Sequence, residues 1–132
     1  GDMAVLTQLA LNNGSYAGKT YWKSAVESQF IAPLSSDDSY GLGWRRVGAK
    51  HSYAPFGHYA SNLAYGHTGW TGTVTLIDPK YNLIIVLLTN KKHSPYRNGQ
   101  FAGDGFATGK YAPIIDLIYQ ALPETQSFST TK

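Results

Sequence analysis

The chain has 132 residues, enough for one domain that buries roughly two thirds of its unfolded surface, so no second domain is needed. Its net charge of +3, from 11 basic and 8 acidic residues, is scattered, with only Arg45-Arg46 and Lys91-Lys92 adjacent, which argues against nucleic acid as a partner because phosphates call for a denser basic stripe. No apolar run approaches the roughly 20 residues of a membrane helix, nothing reads as a signal peptide, and without cysteine there is neither disulfide nor thiolate metal site, which leaves the redox compartment open.

Asp2 is placed to cap a first helix whose apolar positions Met3, Leu6, Leu9 and Ala10 recur on one face, and Asn13-Gly14 offers a left-handed stop. Such a helix is expected to cover a sheet. Asn13-Gly14-Ser15 is also a formal glycosylation sequon, but it reads as the helix end. A short turn, Ser15 to Thr20, leads to Ser24-Ala25-Val26-Glu27, a capping box in which Ser24 and Glu27 satisfy each other's backbone donors. A short second helix is predicted from there to about Phe30. Pro33 to Ser39 is a polar loop whose Asp37-Asp38 pair reads as solvated charge, since no third metal ligand is spaced nearby.

Tyr40 to Val47 is strand-like, with Leu42, Trp44 and Val47 facing one way and Trp44 in the core. His51 to Ala64, rich in His, Tyr, Ser and Asn, suits either the lining of a cleft or a lid over the sheet. His51, His58 and His67 have neither the helical spacing nor the accompanying carboxylate of a metal triad, so no metal or other cofactor is expected.

The chain is organised around Tyr65-Gly66-His67-Thr68-Gly69-Trp70-Thr71-Gly72-Thr73, which runs without a break into Val74 to Asp78 and then Tyr81 to Asn90. Three antiparallel strands are predicted. Leu83 to Leu88 is a continuous apolar run of strand length, as in a strand covered on both faces. Val74 to Ile77 alternates less cleanly, as in a strand with one wet face. Asp78-Pro79-Lys80-Tyr81-Asn82 is the turn between them. Glycine weakens a strand interior unless a bulge, another backbone or a ligand comes close, so Gly66, Gly69 and Gly72 fit either a strand edge left bare for docking or a bulged arm with no ligand.

Lys91 to Lys110 reads as a loop of about twenty residues, a length more often functional or mobile than passive. It lacks the acidic pattern of a calcium loop. Pro113 then opens a helix with Ile114, Ile115, Leu117, Ile118, Ala121 and Leu122 on its apolar side, Pro123 ends it, and residues 124–132 read as a flexible tail.

His67-Thr68-Gly69, followed by a hairpin and an apolar strand ending Leu88-Thr89-Asn90, resembles the Lys/His-Thr-Gly strand of the serine β-lactamase and penicillin-binding-protein family. The nearest likeness is to its class C-like branch, with D-alanyl-D-alanine carboxypeptidases and esterases. Gly1 to Asn13-Gly14, Tyr40-Gly41-Leu42-Gly43-Trp44 and Phe56-Gly57-His58 agree with that family in the same order. The resemblance spans nearly the whole chain but only the last third of the family's usual length.

It implies an α+β fold: an antiparallel sheet of three to four strands flanked by N- and C-terminal helices, an incomplete β-lactamase-like α/β domain over residues 1–132. It also implies hydrolysis of a β-lactam, a D-Ala-D-Ala peptide or an ester through an acyl-enzyme. His67 and Thr68 would bind the substrate carboxylate or tune the proton network, Gly69 would admit the substrate to the strand, and the Trp70 N–H would donate to the oxyanion. Tyr65 and Thr71 would contact substrate.

The chemistry is sound in itself, because an acyl intermediate needs fixed donors aimed at the developing oxyanion and a rigid strand edge supplies them with little reorganisation. A histidine beside a threonine hydroxyl offers hydrogen bonding and a charge that responds to its surroundings. Where many members carry a permanently charged lysine, this chain has His67.

The family's nucleophile lies in a Ser-Xaa-Xaa-Lys motif on a helix, aided by Tyr-Xaa-Asn. Ser129-Thr130-Thr131-Lys132 and Tyr96-Arg97-Asn98 match these in letters, but they follow the strand in an order that circular permutation cannot produce, so the nucleophile is expected to be absent here. The expected partners are a small-molecule or peptidoglycan-type substrate, the N-terminal part of the same domain, and a second copy wherever Leu83 to Leu88 presents an unpaired edge. An extracytoplasmic site of action goes with the family. A competing reading is a noncatalytic module that holds a cell-wall-like or acyl ligand on the Trp70 and Tyr65 edge and the tyrosine-rich loop.

Overall fold

The computed structural model describes residues 1–48, 54–90, 92–102 and 111–123. In chain order they form α1 (Asp2–Leu11), β1 (Ser15–Tyr16), β2 (Lys19–Thr20), α2 (Ser24–Ile31), β3 (Arg45–Arg46), β4 (Tyr65–Thr68), β5 (Val74–Asp78), β6 (Leu83–Leu87), β7 (Tyr96–Arg97), β8 (Gln100–Phe101) and α3 (Ala112–Gln120). Single 3-10 turns stand at Ala54–Phe56 and Pro79–Tyr81. β3, β4, β5 and β6 make one antiparallel sheet in that order, and β1-β2 and β7-β8 are separate small hairpins. The α+β class, with an antiparallel sheet between N- and C-terminal helices, is the one expected.

The register of β5 explains the layering. Val74 and Leu76, with Ile85 beside them on β6, point into a cluster with Phe56, Ile115 and Tyr119 on the α3 side. Ile77 points the other way, into a cluster of Ala10, Tyr65, Trp44 and Ile84 under α1. All five residues of β5 are therefore buried, and the wet face expected for this strand does not exist. Packing on α1 overrode the weak alternation. The apolar run of β6 is less covered than expected: Ile85 is buried, the other strand residues are half-buried and Leu88 is exposed, and β6 is also the end of the sheet, where among the described residues no strand pairs with its outer side.

Several local expectations are corrected. Gly1, not Asp2, is the N-cap of α1, and Asp2 sits in the first turn, where its charge still complements the helix dipole. The helix buries Thr7, Leu9 and Ala10 and leaves Met3 and Leu6 largely exposed; Thr7 tolerates burial because its hydroxyl donates back to the Met3 carbonyl at 2.9 Å. The stop is as predicted, with Asn13 and Gly14 at φ 52° and 90° and the Gly14 N–H donating to the Leu9 carbonyl at 2.8 Å.

The capping box of α2 does not form. Lys23 is its N-cap, and the Glu27 carboxylate, only 4% exposed, instead accepts from the Trp22 indole at 2.9 Å and the Tyr65 hydroxyl at 3.3 Å. Tyr40 to Val47 is not a continuous strand either. Tyr40 bridges Arg45 across a tight turn with Gly43 at φ 78°, so Leu42 is exposed while Trp44 packs edge-on to Tyr65 and Val47 enters the other cluster.

Asn98 and Gly99, both at positive φ, close the β7-β8 hairpin inside the stretch read as one long loop. In α3, with Pro113 in its first turn, Ile115 is buried as expected, whereas Ile114 and Leu117 are exposed and Tyr119 takes the buried stripe. His51, Lys91, residues 103–110, the tail at 124–132 and the Ser129 to Lys132 match lie outside the described residues.

Candidate functional site

The site is built on the β4-β5 hairpin. β4 pairs with β5 along its length, but β3 matches only Tyr65 and Gly66. From His67 onward, therefore, the outer side of β4 has no strand partner among the described residues. Gly66 is needed where β4 is flanked on both sides, since a Cβ there would run into the Thr75 carbonyl and stand 3.0 Å from Leu76 Cα.

The first strand of the hairpin ends at Thr68. There the Gly69 N–H donates to the Thr73 carbonyl at 2.8 Å and the Gly72 N–H to the Gly69 carbonyl at 2.9 Å, which closes a three-residue loop, Trp70-Thr71-Gly72. Gly72 takes φ 107°, the left-handed position such a loop requires. A Cβ at Gly69 would press on the Thr73 side chain. All three glycines thus have an internal steric or conformational reason. Two glycines flanking Trp70-Thr71 are the sequence signal for this turn, which is neither of the two arrangements expected for them.

Strand alternation sends the candidate side chains to different places. His67, opposite Thr75, lies on the α1 face, and Thr68, opposite Val74, lies on the α3 face. His67 is exposed, and its Nδ1 stands 2.8 Å from the Thr68 carbonyl. That carbonyl can only accept, so Nδ1 carries a proton and Nε2 is the acceptor of the neutral ring. The Trp70 side chain is 77% exposed, with the Lys92 ammonium 4.5 Å from its ring centre and 5.0 Å from that of Phe101. Tyr96 stacks edge-on to Phe101 at 5.0 Å, so β7 and β8 form an aromatic wall beside the loop. Thr71 is half-buried. Tyr65 is not brought to this surface: it is 2% exposed, and burial first, then the Glu27 charge and its hydrogen bond, push its phenol well above the ordinary range.

Two residues that sequence reasoning did not single out hold the loop from behind. Thr89 Oγ1 lies 2.7 Å from the Gly72 carbonyl and 2.8 Å from Tyr111 Oη. The carbonyl can only accept, so the Thr89 proton goes to it and Tyr111 supplies the other bond. Further along the hairpin, Asp78 is fully buried and accepts from the Ser61 N–H at 2.9 Å, the Ser61 hydroxyl at 2.6 Å, the Lys80 N–H at 3.1 Å and the Tyr119 hydroxyl at 2.7 Å. Burial first, then this carboxylate, push the Tyr119 phenol far above its usual range. Asp78, read only as a turn residue, ties β5, the segment before β4 and α3 together.

His58 pairs with Asp116 at 2.9 Å, and the Asp116 carboxylate also accepts its backbone N–H at 2.7 Å. Among the described residues no three His, Asp or Glu side chains gather as metal ligands. None of their helices is long and apolar enough to cross a membrane. A separate apolar cavity of about 280 Å³, between α1 and α2, is lined by Leu6, Trp22, Val26, Phe30 and Trp44 with Glu27 and includes none of the candidate residues.

Comparison with known proteins identifies the family of the chain. Residues 1–106 match the beta-lactamase family. The chain is 50% identical over 126 residues to an N-acetylmuramyl-L-alanine amidase of Bacillus subtilis (strain 168), which covers 92% of this chain and 29% of that protein. It is 40% identical over 129 residues to the "Putative D-alanyl-D-alanine carboxypeptidase" of Escherichia coli (strain K12), covering 94% and 30%. The fold matches a crystal structure of a penicillin-binding protein homologue from Caulobacter crescentus with a TM-score of 0.59 at 21% identity, over 89% of this chain and 30% of that one. The chain spans about 30% of the length of the curated relatives it matches.

Proposed function

The chain belongs to the beta-lactamase family, and from that premise we propose that residues 1–132 supply the third wall of a serine acyl-transfer site, part of one β-lactamase-like domain, whose nucleophile comes from the remainder of a longer parent protein. The observation that carries this reading is the outer side of β4, open from His67 and ending in a turn pinned at Gly69, Gly72 and Thr73 that leaves Trp70 outermost. An extended acyl substrate docks along such an edge, and the turn presents the Trp70 N–H.

In the reaction a serine oxygen attacks the substrate carbonyl carbon. The new C–O bond pushes the carbonyl electron pair onto oxygen, and the Trp70 N–H stabilises that oxyanion. The pair then returns, the C–N or C–O bond to the leaving group breaks, and the leaving group departs with a proton. Water repeats the sequence on the acyl-enzyme and frees the acid. A preorganised donor matters because it costs no reorganisation as charge develops, and one such donor is worth about 10²–10³ in kcat. His67 Nε2 is free to accept a proton on one face of the strand, and the Thr68 hydroxyl serves the substrate carboxylate from the other. Gly69 serves the closed turn rather than the substrate, since Thr73 fills the space a Cβ would take, Thr71 contacts the substrate from the turn, and Tyr65, buried under the sheet, positions β4 and does not touch substrate.

The relatives named for muramyl-alanine and D-alanyl-D-alanine chemistry support an amide carbonyl in a peptidoglycan-type substrate, and hence action outside the cytoplasm. The alternative of a noncatalytic module on the Trp70 and Tyr65 edge and the tyrosine-rich loop loses Tyr65 to that burial. Intact-mass analysis after exposure to a labelled penicillin and, separately, an activated ester separates the readings. We expect a stoichiometric adduct on the parent protein, mapping outside residues 1–132, and none on this chain alone. An adduct on the chain alone would overturn the divided-site reading, and none on either would overturn acyl transfer.

A further inference from the structure

We propose that Thr89, backed by Tyr111, is a positioning residue for acyl transfer: it clamps the Gly72 carbonyl and so holds the turn that presents the Trp70 N–H. The inference rests on the function proposed above for that turn. Both halves of the Gly72 residue are held, its N–H by the Gly69 carbonyl at 2.9 Å and its carbonyl by Thr89 Oγ1 at 2.7 Å. The Gly69 bond is local to the loop, whereas the Thr89 bond spans 17 positions in sequence and roots the loop in the segment just after β6. Tyr111, 8% exposed at the start of α3, fixes the Thr89 hydroxyl at 2.8 Å.

The fit is close. A Cβ at Gly72 would stand 2.6 Å from Tyr111 Oη and 2.9 Å from Thr89 Oγ1, so both hydroxyls approach bare backbone. Gly72 at φ 107° has the widest conformational choice in the loop, and that is where an external tether restricts most. Loss of the tether lets the Trp70-Thr71 peptides tilt, and a misplacement near 1 Å is worth about a hundredfold in rate. Thr89 never meets the substrate; it acts through the turn.

The test uses Thr89→Val, which keeps the shape and removes the hydroxyl, and Thr89→Ser, which restores it. In amide hydrogen exchange on the 132-residue chain, Val is expected to speed the Gly69 and Gly72 amides about tenfold or more while Leu76 and Ile85 stay near wild type, and Ser to restore protection. In the parent protein the same Val variant should lower kcat by about tenfold or more with KM little changed, and Ser should recover it. Unchanged Gly69 and Gly72 exchange in the Val variant overturns the clamp whatever the activity. A loosened turn with undiminished kcat overturns its catalytic role. A wild-type parent that never acylates overturns the hydrolase reading and that role together, while the exchange result judges the clamp separately.

Discussion

Asp78→Asn is the substitution whose cost the structure dictates most directly. One carboxylate oxygen, Oδ1, accepts from the Ser61 hydroxyl and the Lys80 N–H; the other, Oδ2, accepts from the Ser61 N–H and the Tyr119 hydroxyl. Asparagine replaces one of these oxygens by an NH₂ donor. The hydroxyls can turn to accept, but a backbone N–H cannot, so either orientation of the amide orphans one N–H, that of Lys80 or that of Ser61. The buried Ser61 N–H would cost about 1–3 kcal/mol unsatisfied, so the amide turns its NH₂ toward the Lys80 N–H, which is only part-buried, and the three remaining bonds each weaken by about 1 kcal/mol when the acceptor loses its charge. Relief from burying a carboxylate offsets part of this sum.

The expected loss is about 3 kcal/mol, a large share of the 5–15 kcal/mol of stability typical of a domain. Tyr119→Phe removes one donor and leaves three, so it should cost less, about 1.5–3 kcal/mol. Urea unfolding followed by circular dichroism reads both variants against wild type, with an unchanged m-value marking a two-state comparison. A loss below about 1 kcal/mol for Asn would mean that these contacts do not carry the energy assigned to them.

The same burial sets an alkaline limit. Tyr65 and Tyr119 are held well above the ordinary 10.0 in the folded chain, so above about pH 10 the unfolded chain releases protons that the folded chain keeps, and stability, complete below that pH, falls as pH rises. Thermal midpoints from about pH 8 to 11 should drop with a slope that Tyr65→Phe and Tyr119→Phe each reduce, and a slope that neither variant changes refutes the assignment. Light scattering on the isolated chain should find a dimer joined through the outer side of β6 or a monomer in which a loop or the chain's own tail covers that edge, and a monodisperse monomer that leaves this edge in solvent counts against the topology. In the parent protein Thr68→Val should slow acylation at least about tenfold, and unchanged kinetics remove Thr68 from the site.

Much of this chain is legible before any coordinates. The apolar run of β6, the Asp78 to Asn82 turn, the Asn13-Gly14 stop and the Pro113 start are local signals that one short segment contains whole, and each stands where the sequence puts it. Residues that choose among long-range partners were not legible. Glu27 has the spacing of a capping box yet serves Trp22 and Tyr65, because an indole and a phenol in an apolar setting need an acceptor more than an exposed helix end does. Ile114 and Leu117 read as core-facing, but the buried stripe of α3 runs through Ile115 and Tyr119, whose hydroxyl donates to the buried Asp78 from 41 positions away.

The candidate site divides the same way. The family, and the likeness of His67-Thr68-Gly69 to its strand motif, were legible in sequence alone, because the motif is contiguous. Which of its neighbours face the edge was decided only by the tertiary structure. Strand alternation parts His67 from Thr68, the packing of α1 and α2 buries Tyr65, and Thr89 and Tyr111 meet Gly72 from 17 and 39 positions away. A hydroxyl gives no sign in sequence of which distant carbonyl it will hold. That choice follows from how β6 and α3 stack on the hairpin, and it is made by burial and hydrogen-bond satisfaction over the whole fold.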